Sequence, residues 1–491
     1  MNRLYTIFLL LFISMLLTIT ANSQNTVYNN TEYNNFVTPS LRNFFDIYDT
    51  TQHQGNYINR KLFNEHFITV NEKDFTLIVD PLMNFTLAKS NKKDDLLYRN
   101  TRAAIVAGRI GKTVSFYSAF YETQLTAPQY IDDYVKSYGV LPGHTNPKKF
   151  GDGGYDFGAV YGGVAWQIKK GSPITFRLAF DEMFIGKGYR SLFLSNNGFP
   201  YYFVSTQYDK KKFFYLFSLA SMQNPNFRNV MELQSSSINT SAFHKKTVAF
   251  HYLGYRPNKN ISVGLFQATL FQVADSSSAT FRAEWLNPII LAAPVCYGME
   301  GSNNVLLGAE FSLAYHYVQF YSQLVIDDFG INNSLAEQEI GCQIGAHYSS
   351  NLLHLNIEYN RVNKGVYSHT NPLQSYTNFN QPLAFQSGQN IKELIFQIEY
   401  QYKKFYTEIV IINQKKQTTS LENVFKPQVI SLSGDANDVT AVRGELHWII
   451  NPKTNLSFFT GAQKNYSTTN EEYLYLGLKT SLRKISWDVF K

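Results

Sequence analysis

Apolar and polar side chains alternate along most of this chain. In the segments 353–360, 396–402 and 442–448, every second position is apolar, aromatic or glycine, and the positions between them are polar or charged. Because successive side chains of a strand point to opposite faces, this period of two predicts strands with one apolar and one polar face. Roughly 16 to 20 segments of about nine to eleven residues follow the pattern, a length that crosses a bilayer at the tilt of barrel strands.

The connections between these segments differ in length in a regular way. Several are short and mostly basic, at 110–113, 209–212, 256–260, 349–351, 402–404 and 451–454. Long polar links lie between them, around 122–156, 183–200, 222–246, 360–393 and 413–440. Alternation of short turns with long loops is typical of outer-membrane barrels, in which the turns face the periplasm and the loops face outward. The sequence therefore predicts an all-β fold, a transmembrane antiparallel outer-membrane β-barrel.

The first 72 residues do not follow this alternation. A cationic start, an apolar run and a small-residue site ending at Ser23 predict a secretory signal peptide over 1–23. A membrane-anchoring helix is the alternative, but the polar stretch that follows has no basic stop-transfer cluster. Residues 24–72 are predicted to form an N-terminal periplasmic or plug segment, in which apolar side chains at helical spacing between Ser40 and Tyr48 indicate a short amphipathic helix. The barrel is expected over 73–491.

Composition supports a membrane barrel over a soluble enzyme. The chain has 34 Tyr and 39 Phe, and only 16% of its residues are charged, whereas a soluble domain has about a quarter. Aromatic residues are abundant in membrane barrels because they form girdles at both bilayer interfaces. The formal net charge of +7 falls to +6 when the signal peptide and its Arg3 are removed. No basic block of the kind that binds nucleic acid is present. Two cysteines, Cys296 and Cys342, exclude a disulfide-dense scaffold.

Motifs for catalysis or metal binding are not found in the sequence. The ten histidines have no metal-ligand spacing, and no G-x-S-x-G elbow occurs. The neighbouring carboxylates Asp181 and Glu182 point to opposite faces of a strand, so they form a poor acid–base pair. We therefore expect no enzymatic activity, no cofactor and no metal. A barrel enzyme that modifies lipids could still use a hidden Ser–His pair, and a serine within hydrogen-bonding distance of a lumen histidine would keep that reading open.

The segment FIGKGYRS at 184–191 follows a predicted strand directly and is rich in glycine and charge. It lacks the glycine spacing and the helix of a phosphate-binding loop. Glycines let the backbone fold inward, while Tyr189 and Arg190 supply a stacking face and a fork of donors. The set fits hydroxyl- and carboxylate-rich glycans. It equally fits a loop held inside the lumen by salt bridges.

Several segments also resemble a known family. VDPLMNFTL at 79–87, FIGKGYRSLFLSNNGFPYYFVSTQY at 184–208, NPIILAAPVCYGMEGSNNVLLGAEF at 287–311 and YSQLVIDDFG at 321–330 are similar to the RemB-like gliding-motility-associated outer-membrane proteins of the Bacteroidetes. These are related to the Wzi-like capsule-assembly family. The resemblance implies a barrel of about 18 strands, an N-terminal segment that plugs the periplasmic side, and outer loops that face surface polysaccharide. It also implies capsule or exopolysaccharide attachment, or a part in gliding and adhesion.

Our leading hypothesis is a non-enzymatic barrel of the cell outer membrane that binds surface polysaccharide through long loops at the cell surface. The candidate ligand-binding residues are Asp181, Glu182, Lys187, Tyr189, Arg190 and Trp285. The expected partners are outer-membrane lipid, surface polysaccharide and gliding-machinery or other envelope proteins, with no nucleic acid. Polar lumen positions in 354–358 and 443–447 leave a solute-conducting pore as the alternative, and a barrel lipid-modifying enzyme is the third reading.

Overall fold

The computed structural model describes residues 55–225, 243–271, 286–292, 303–328, 338–369, 374–416, 438–466 and 470–480. Two helices are present in this part of the chain, α1 (Tyr57–Phe63) and α2 (Gln129–Tyr138). The strands are β1 (Ile68–Glu72), β2 (Phe75–Ser90), β3 (Leu97–Ile110), β4 (Val114–Leu125), β5 (Lys148–Phe150), β6 (Gly154–Gln167), β7 (Ile174–Asp181), β8 (Tyr201–Lys210), β9 (Phe213–Pro225), β10 (Phe243–Tyr255), β11 (Ile261–Phe271), β12 (Asn304–Tyr315), β13 (Val318–Asp328), β14 (Glu339–Ser349), β15 (Leu353–Val362), β16 (Thr377–Asn378), β17 (Gln381–Pro382), β18 (Ile391–Tyr402), β19 (Phe405–Lys416), β20 (Asp438–Asn451), β21 (Leu456–Tyr466) and β22 (Glu471–Lys479).

Eighteen of these strands form one closed antiparallel barrel. Each of the eighteen pairs with the next ring strand along the chain. The four other strands, β1, β5, β16 and β17, lie outside this ring. The last strand pairs with the first, with Asn84 opposite Lys479 and Ser90 opposite Tyr473. β1 pairs with the first half of β2. The predicted all-β barrel of about 18 strands is confirmed, and each of the eighteen ring strands has a partner on both sides.

The two faces of the wall have opposite chemistry. Along β15 the outward side chains Leu355, Ile357 and Tyr359 are 37–44% exposed, whereas the inward Glu358 and Asn360 are fully buried. This is the reverse of a soluble protein, and it is the arrangement that a bilayer stabilises from outside. No helix in the described ranges is long and apolar enough to cross a bilayer.

The connections separate into two ends. We call the turn end the one where strands are joined by short connections, at 111–113, 168–173, 211–212, 256–260, 316–317, 350–352, 403–404 and 452–455. The opposite loop end has the long connections 126–153, 182–200, 226–242, 272–303, 329–338, 363–390 and 417–437, and two short ones at 91–96 and 467–470. The predicted alternation of short and long connections is therefore present, although the links at 272–303 and 329–338 were not anticipated.

Strand lengths vary more than the pattern predicted. The barrel strands run from 8 residues in β7 to 16 in β2, rather than nine to eleven throughout. β7 is short because the chain leaves the wall after Asp181, which pairs with Tyr201 of β8. The following residues enter the lumen instead of continuing to the rim.

The described part of the N-terminal segment lies against the turn end. The side chain of Asn56 accepts a hydrogen bond from the amide of Ile58 and so caps α1. Asn451, the last residue of β20, donates to the backbone oxygens of Lys61 and Glu65, both at 3.0 Å. The predicted signal peptide over 1–23, the predicted helix between Ser40 and Tyr48, and Trp285 lie outside the described residues.

Candidate functional site

Residues 182–200, which we call the inward loop, fold into the lumen. Met183, Ile185, Leu192, Phe193 and Leu194 are each fully buried there. Phe193 stacks on Phe266 of β11 with ring centroids 4.9 Å apart. Burial of apolar side chains of this size stabilises the inward position by about 1.5–3 kcal/mol each. The lumen wall at this level is thus apolar on the side of β8 to β12, and the loop covers it.

Two glycines permit the close approach of the inward loop to the wall. A Cβ on Gly188 would lie 2.3 Å from Oε2 of Glu358 and 2.9 Å from the ring of Tyr321. A Cβ on Gly186 would lie 2.7 Å from Nε2 of Gln323. The backbone oxygen of Arg190 would also lie 2.9 Å from a Cβ on Gly188, and Gly186 has a φ of +154°, so a side chain at either position would force the loop or the wall to shift.

Glu358 of β15 binds the inward loop where the loop lies closest to the barrel wall. Its carboxylate accepts hydrogen bonds from the amides of Tyr189 at 2.7 Å and Arg190 at 3.1 Å. The hydroxyl of Tyr321 and the amide group of Asn360 each donate to it at 2.8 Å. A buried carboxylate is costly unless its oxygens are satisfied, so four donors make this position tenable.

Arg190 forms the main ionic contact of the inward loop. Its Nε and Nη2 donate to the two oxygens of Glu393 at 3.2 and 3.1 Å, and its Nη1 donates to Oε1 of Gln386 at 2.8 Å. The Arg190 side chain is 1% exposed and that of Glu393 is fully buried. The guanidinium also lies 5.2 Å from the ring of Tyr189. A bidentate geometry of this kind is the strong form of an Arg–carboxylate contact.

A second segment, 363–390 without 370–373, joins the inward loop from the opposite wall. The hydroxyls of Tyr367 and Tyr376 donate to the backbone oxygens of Leu192 at 3.0 Å and Phe193 at 2.7 Å. The amide of Ser195 donates to the backbone oxygen of Leu383 at 2.7 Å. Burial raises the pKa of both tyrosines well above its usual value, so both remain protonated donors. We call residues 363–369 and 374–390 the second inward segment.

The connection 126–153 places α2 at the loop end of the barrel. Tyr130, Ile131 and Tyr134 are buried against residues of β3, β21 and β22. The amides of Gln129 and Tyr130 at the start of α2 donate to the carboxylate of Glu471, at 3.0 and 3.2 Å. A carboxylate at this position satisfies amides that the helix itself leaves unpaired and that the N-cap Pro128 does not cap.

This α2 connection is also joined to the second inward segment. Gln381 accepts from the amide of Gly143 at 2.7 Å and donates to the backbone oxygen of His144 at 2.8 Å. Burial, and next the nearby charge of Arg99, lower the pKa of His144 to about 3. His144 is therefore neutral at physiological pH.

The structure distributes the sequence-predicted residues over three places. Tyr189 and Arg190 share Glu358, as described. Asp181 is fully buried at the end of β7, where it accepts hydrogen bonds from Nη2 of Arg177 at 2.6 Å and from the hydroxyl of Tyr117. The amide of Glu182 donates to Asp181 at 2.7 Å.

Lys187 occupies the third place, near the turn end. Its Nζ lies 2.5 Å from Oγ of Ser262 and 2.6 Å from Oγ of Ser312.

Of the two arrangements that the sequence left open for FIGKGYRS, the structure has the loop held inside the lumen by a salt bridge. Trp285, the predicted stacking ring, is outside the described residues.

Several residues that complete the site were not singled out from the sequence. Glu358 was recognised only as a polar lumen position, and Glu393, Gln386 and Gln323 were not identified. Their signal is weak, because any polar residue on the inward face of a strand looks alike in a period-two pattern.

The described residues contain no cluster of three metal-ligating side chains. A serine–histidine contact does exist: Oγ of Ser349 lies 2.8 Å from Nδ1 of His354, across the β14–β15 turn. In a Ser–His–Asp triad Nδ1 is the nitrogen that faces the carboxylate, and the serine bonds to Nε2. The contact has the geometry of a cross-strand hydrogen bond, and because a serine does lie within hydrogen-bonding distance of a lumen histidine, the hypothesis of a lipid-modifying barrel enzyme stays open.

The closed ring of strands, the apolar outer face and the two unequal ends define the fold of an outer-membrane β-barrel. Wzi of Escherichia coli, described as an outer-membrane protein involved in group 1 capsule assembly and a carbohydrate-binding β-barrel, has a similar structure. It aligns with a TM-score of 0.50 and 12% sequence identity, over 82% of this chain and 85% of that one. At this identity the likeness shows a shared fold and nothing more.

Two structures from Pseudomonas aeruginosa are also similar. OpdK with vanillate aligns at a TM-score of 0.46 and 9% identity over 82% of this chain and 97% of that one. OprD aligns at a TM-score of 0.43 and 12% identity over 84% and 96%. No protein-family model matches the chain, and no curated protein sequence matches it.

Proposed function

We propose that this protein is a non-enzymatic outer-membrane barrel that binds or organises surface polysaccharide, in capsule or exopolysaccharide attachment, with its long loops at the cell surface. The observation that carries the proposal is the filling of the lumen by the chain itself. The inward loop, the second inward segment and the α2 connection are joined to one another and to the wall by buried hydrogen bonds and the Arg190–Glu393 ion pair.

A lumen filled in this way favours a binding function. The packed segments hold the loop end in place, so that the long connections can form a binding surface there. Wzi, which shares the fold, has been described as a carbohydrate-binding β-barrel. This description supports the choice of polysaccharide as the ligand class.

Within this proposal the predicted site residues have different roles. Asp181 and Arg190 are enclosed by protein, so we assign them to positioning the inward loop. Glu182 is partly exposed at the loop end and can meet a ligand directly, whereas Lys187 is partly exposed near the turn end, away from the long connections. A part in gliding motility or adhesion, as in the RemB-like proteins, belongs to the same proposal.

The solute-conducting pore remains the alternative function. Polar side chains do face the lumen, including Asn356 and Arg443. However, a pore needs a continuous aqueous path, and the fully buried Phe193 and Leu194 lie inside the barrel. We therefore expect the native protein to carry no steady current.

A deletion strain of the organism that encodes the chain tests the proposed function. Labelled surface polysaccharide retained by the cells and the rate of spreading on agar are measured in parallel, with the intact gene returned on a plasmid as the control. Loss of retained polysaccharide that the plasmid restores supports attachment. Wild-type retention in the deletion strain contradicts it. Reduced spreading with normal retention would replace attachment by the motility role.

A further inference from the structure

A cavity of about 400 Å³ opens at the turn end, away from the long connections. Five cationic side chains line it, namely Lys187, Lys211, Lys212, Arg256 and Lys259. They come from three separate parts of the chain: the inward loop, the β8–β9 turn and the β10–β11 turn. The cavity therefore depends on the folded barrel and is not a local basic sequence.

Lys187 provides the inner end of this cavity. Its Nζ contacts the hydroxyls of Ser262 and Ser312, which are opposite each other on the inward face of β11 and β12. Both serines are at most 4% exposed. Because they face the lumen, the inner end is closed to lipid outside the barrel, and a ligand must be water-soluble.

The rim is held in shape by the β10–β11 turn. The side chain of Asn258 accepts from the amides of Asn260 and Ile261, both at 2.9 Å. Nη2 of Arg256 donates to Oδ1 of Asp209 at 2.7 Å, which ties this turn to the end of β8. Lys211 and Lys259 are exposed beside these contacts.

The charge balance of the cavity favours an anion. Asp209 offsets Arg256, and Glu310 lies near enough to Lys187 to interact with its charge. Three lysines, Lys211, Lys212 and Lys259, remain beyond these two carboxylates. A concave surface with an excess of positive charge concentrates anions. Its hydroxyl and amide groups, from Ser262, Ser312, Asn258 and Asn260, match the hydroxyls of a sugar.

We propose that this turn-end cavity binds a small anionic saccharide, one that bears a phosphate or a carboxylate. The volume lies within the range of about 300–1,000 Å³ that small-molecule sites occupy. The anionic group would sit among the rim lysines, and the sugar hydroxyls would face the serines and asparagines. The inference does not rest on polysaccharide binding at the loop end, because the two surfaces lie at opposite ends of the barrel.

Calorimetric titration of the full chain in lipid nanodiscs tests this inference. The probes are glucose 1-phosphate, glucuronate, glucose and inorganic phosphate. We expect saturable binding of at least one of the two anionic sugars and none of glucose. Tight binding of glucose, or no binding of either anionic sugar, contradicts the proposal. Equal affinity for inorganic phosphate and glucose 1-phosphate overturns the saccharide part.

Two double variants locate the binding. Lys211→Gln with Lys259→Gln removes two exposed rim charges, and we expect about tenfold weaker binding or more. Lys169→Gln with Lys170→Gln removes the same charge from the neighbouring β6–β7 turn, outside the cavity, and is the matched control. Equal weakening in both variants would mean that the general charge of the turn end attracts the anion, which contradicts a site.

Discussion

The Arg190–Glu393 ion pair is predicted to hold the inward loop in the lumen. Replacing Glu393 by Gln keeps the shape of the side chain and removes its charge, so that Arg190, at 1% exposure, is left buried without its carboxylate. Breaking one partner of a buried ion pair costs about 3–5 kcal/mol. At about 1.4 kcal/mol for each factor of ten, this raises the population of an opened loop by roughly 10² to 10³ or more.

Hydrogen exchange followed by mass spectrometry measures this opening. In the native protein the amides of Tyr189, Arg190 and Leu192 are bonded to buried side chains, so they exchange slowly. In Glu393→Gln we expect their exchange to accelerate by about 100-fold or more, while amides of β15 remain protected. Replacing both partners, with Arg190→Met and Glu393→Met, should restore most of the protection, since neither charge of the ion pair is then left buried without the other.

The matched control is Glu122→Gln. Glu122 pairs with Arg102 at 3.7 Å, but both side chains are about half exposed, and an exposed pair contributes little. Loop exchange should stay at the wild-type rate in this variant. If Glu393→Gln also leaves the loop amides within threefold of wild type, the reasoning that the buried pair holds the loop is refuted.

Three further predictions concern single positions. Gly188→Ala should lower the thermal unfolding midpoint in detergent and expose the inward loop to protease, because its Cβ would meet Glu358. The control is Gly198→Ala, where a Cβ meets nothing within 4 Å and which should match wild type. Equal behaviour of the two variants would refute the steric argument. Asp181→Asn should destabilise the barrel by about 3–5 kcal/mol in a urea titration, since Arg177 loses its buried carboxylate; an unchanged midpoint contradicts this. The pKa of His144 is lowered to about 3 in the folded protein, so between about pH 6.5 and pH 3 only the unfolded chain binds this proton. The free energy of unfolding should therefore fall as the pH decreases through that range. His144→Gln should make the free energy of unfolding depend less on pH there, and an equal slope in the variant would show that other groups cause it.

The fold could be predicted from the sequence because its cause is local. A strand that has lipid on one face and water or polar side chains on the other alternates apolar and polar residues, as in Leu355, Asn356 and Ile357. Such a strand can be recognised without knowing which distant residues it contacts. Turn lengths are local as well, and they correctly predicted the two unequal ends. The short β7 was missed, since nothing in its alternation signals that the chain turns inward after Asp181.

The site could be predicted only in part, because its contacts join distant positions. Arg190 and Glu393 are 203 residues apart in the chain, and Arg190 and Glu358 are 168 apart. FIGKGYRS identified one side of these contacts through its unusual glycines and charge. The other side consists of ordinary polar lumen positions, and only the closed barrel brings Glu358 and Glu393 to the same loop.

The central claim is that the native barrel is filled by its own segments and works as a binding protein. Single-channel recording in planar bilayers tests it most directly, with the native chain beside a variant in which residues 183–199 are replaced by a short Gly–Ser linker. We predict no steady current from the native protein and a larger, lasting current from the variant. A stable open current from the native protein, unchanged in the variant, would contradict the account.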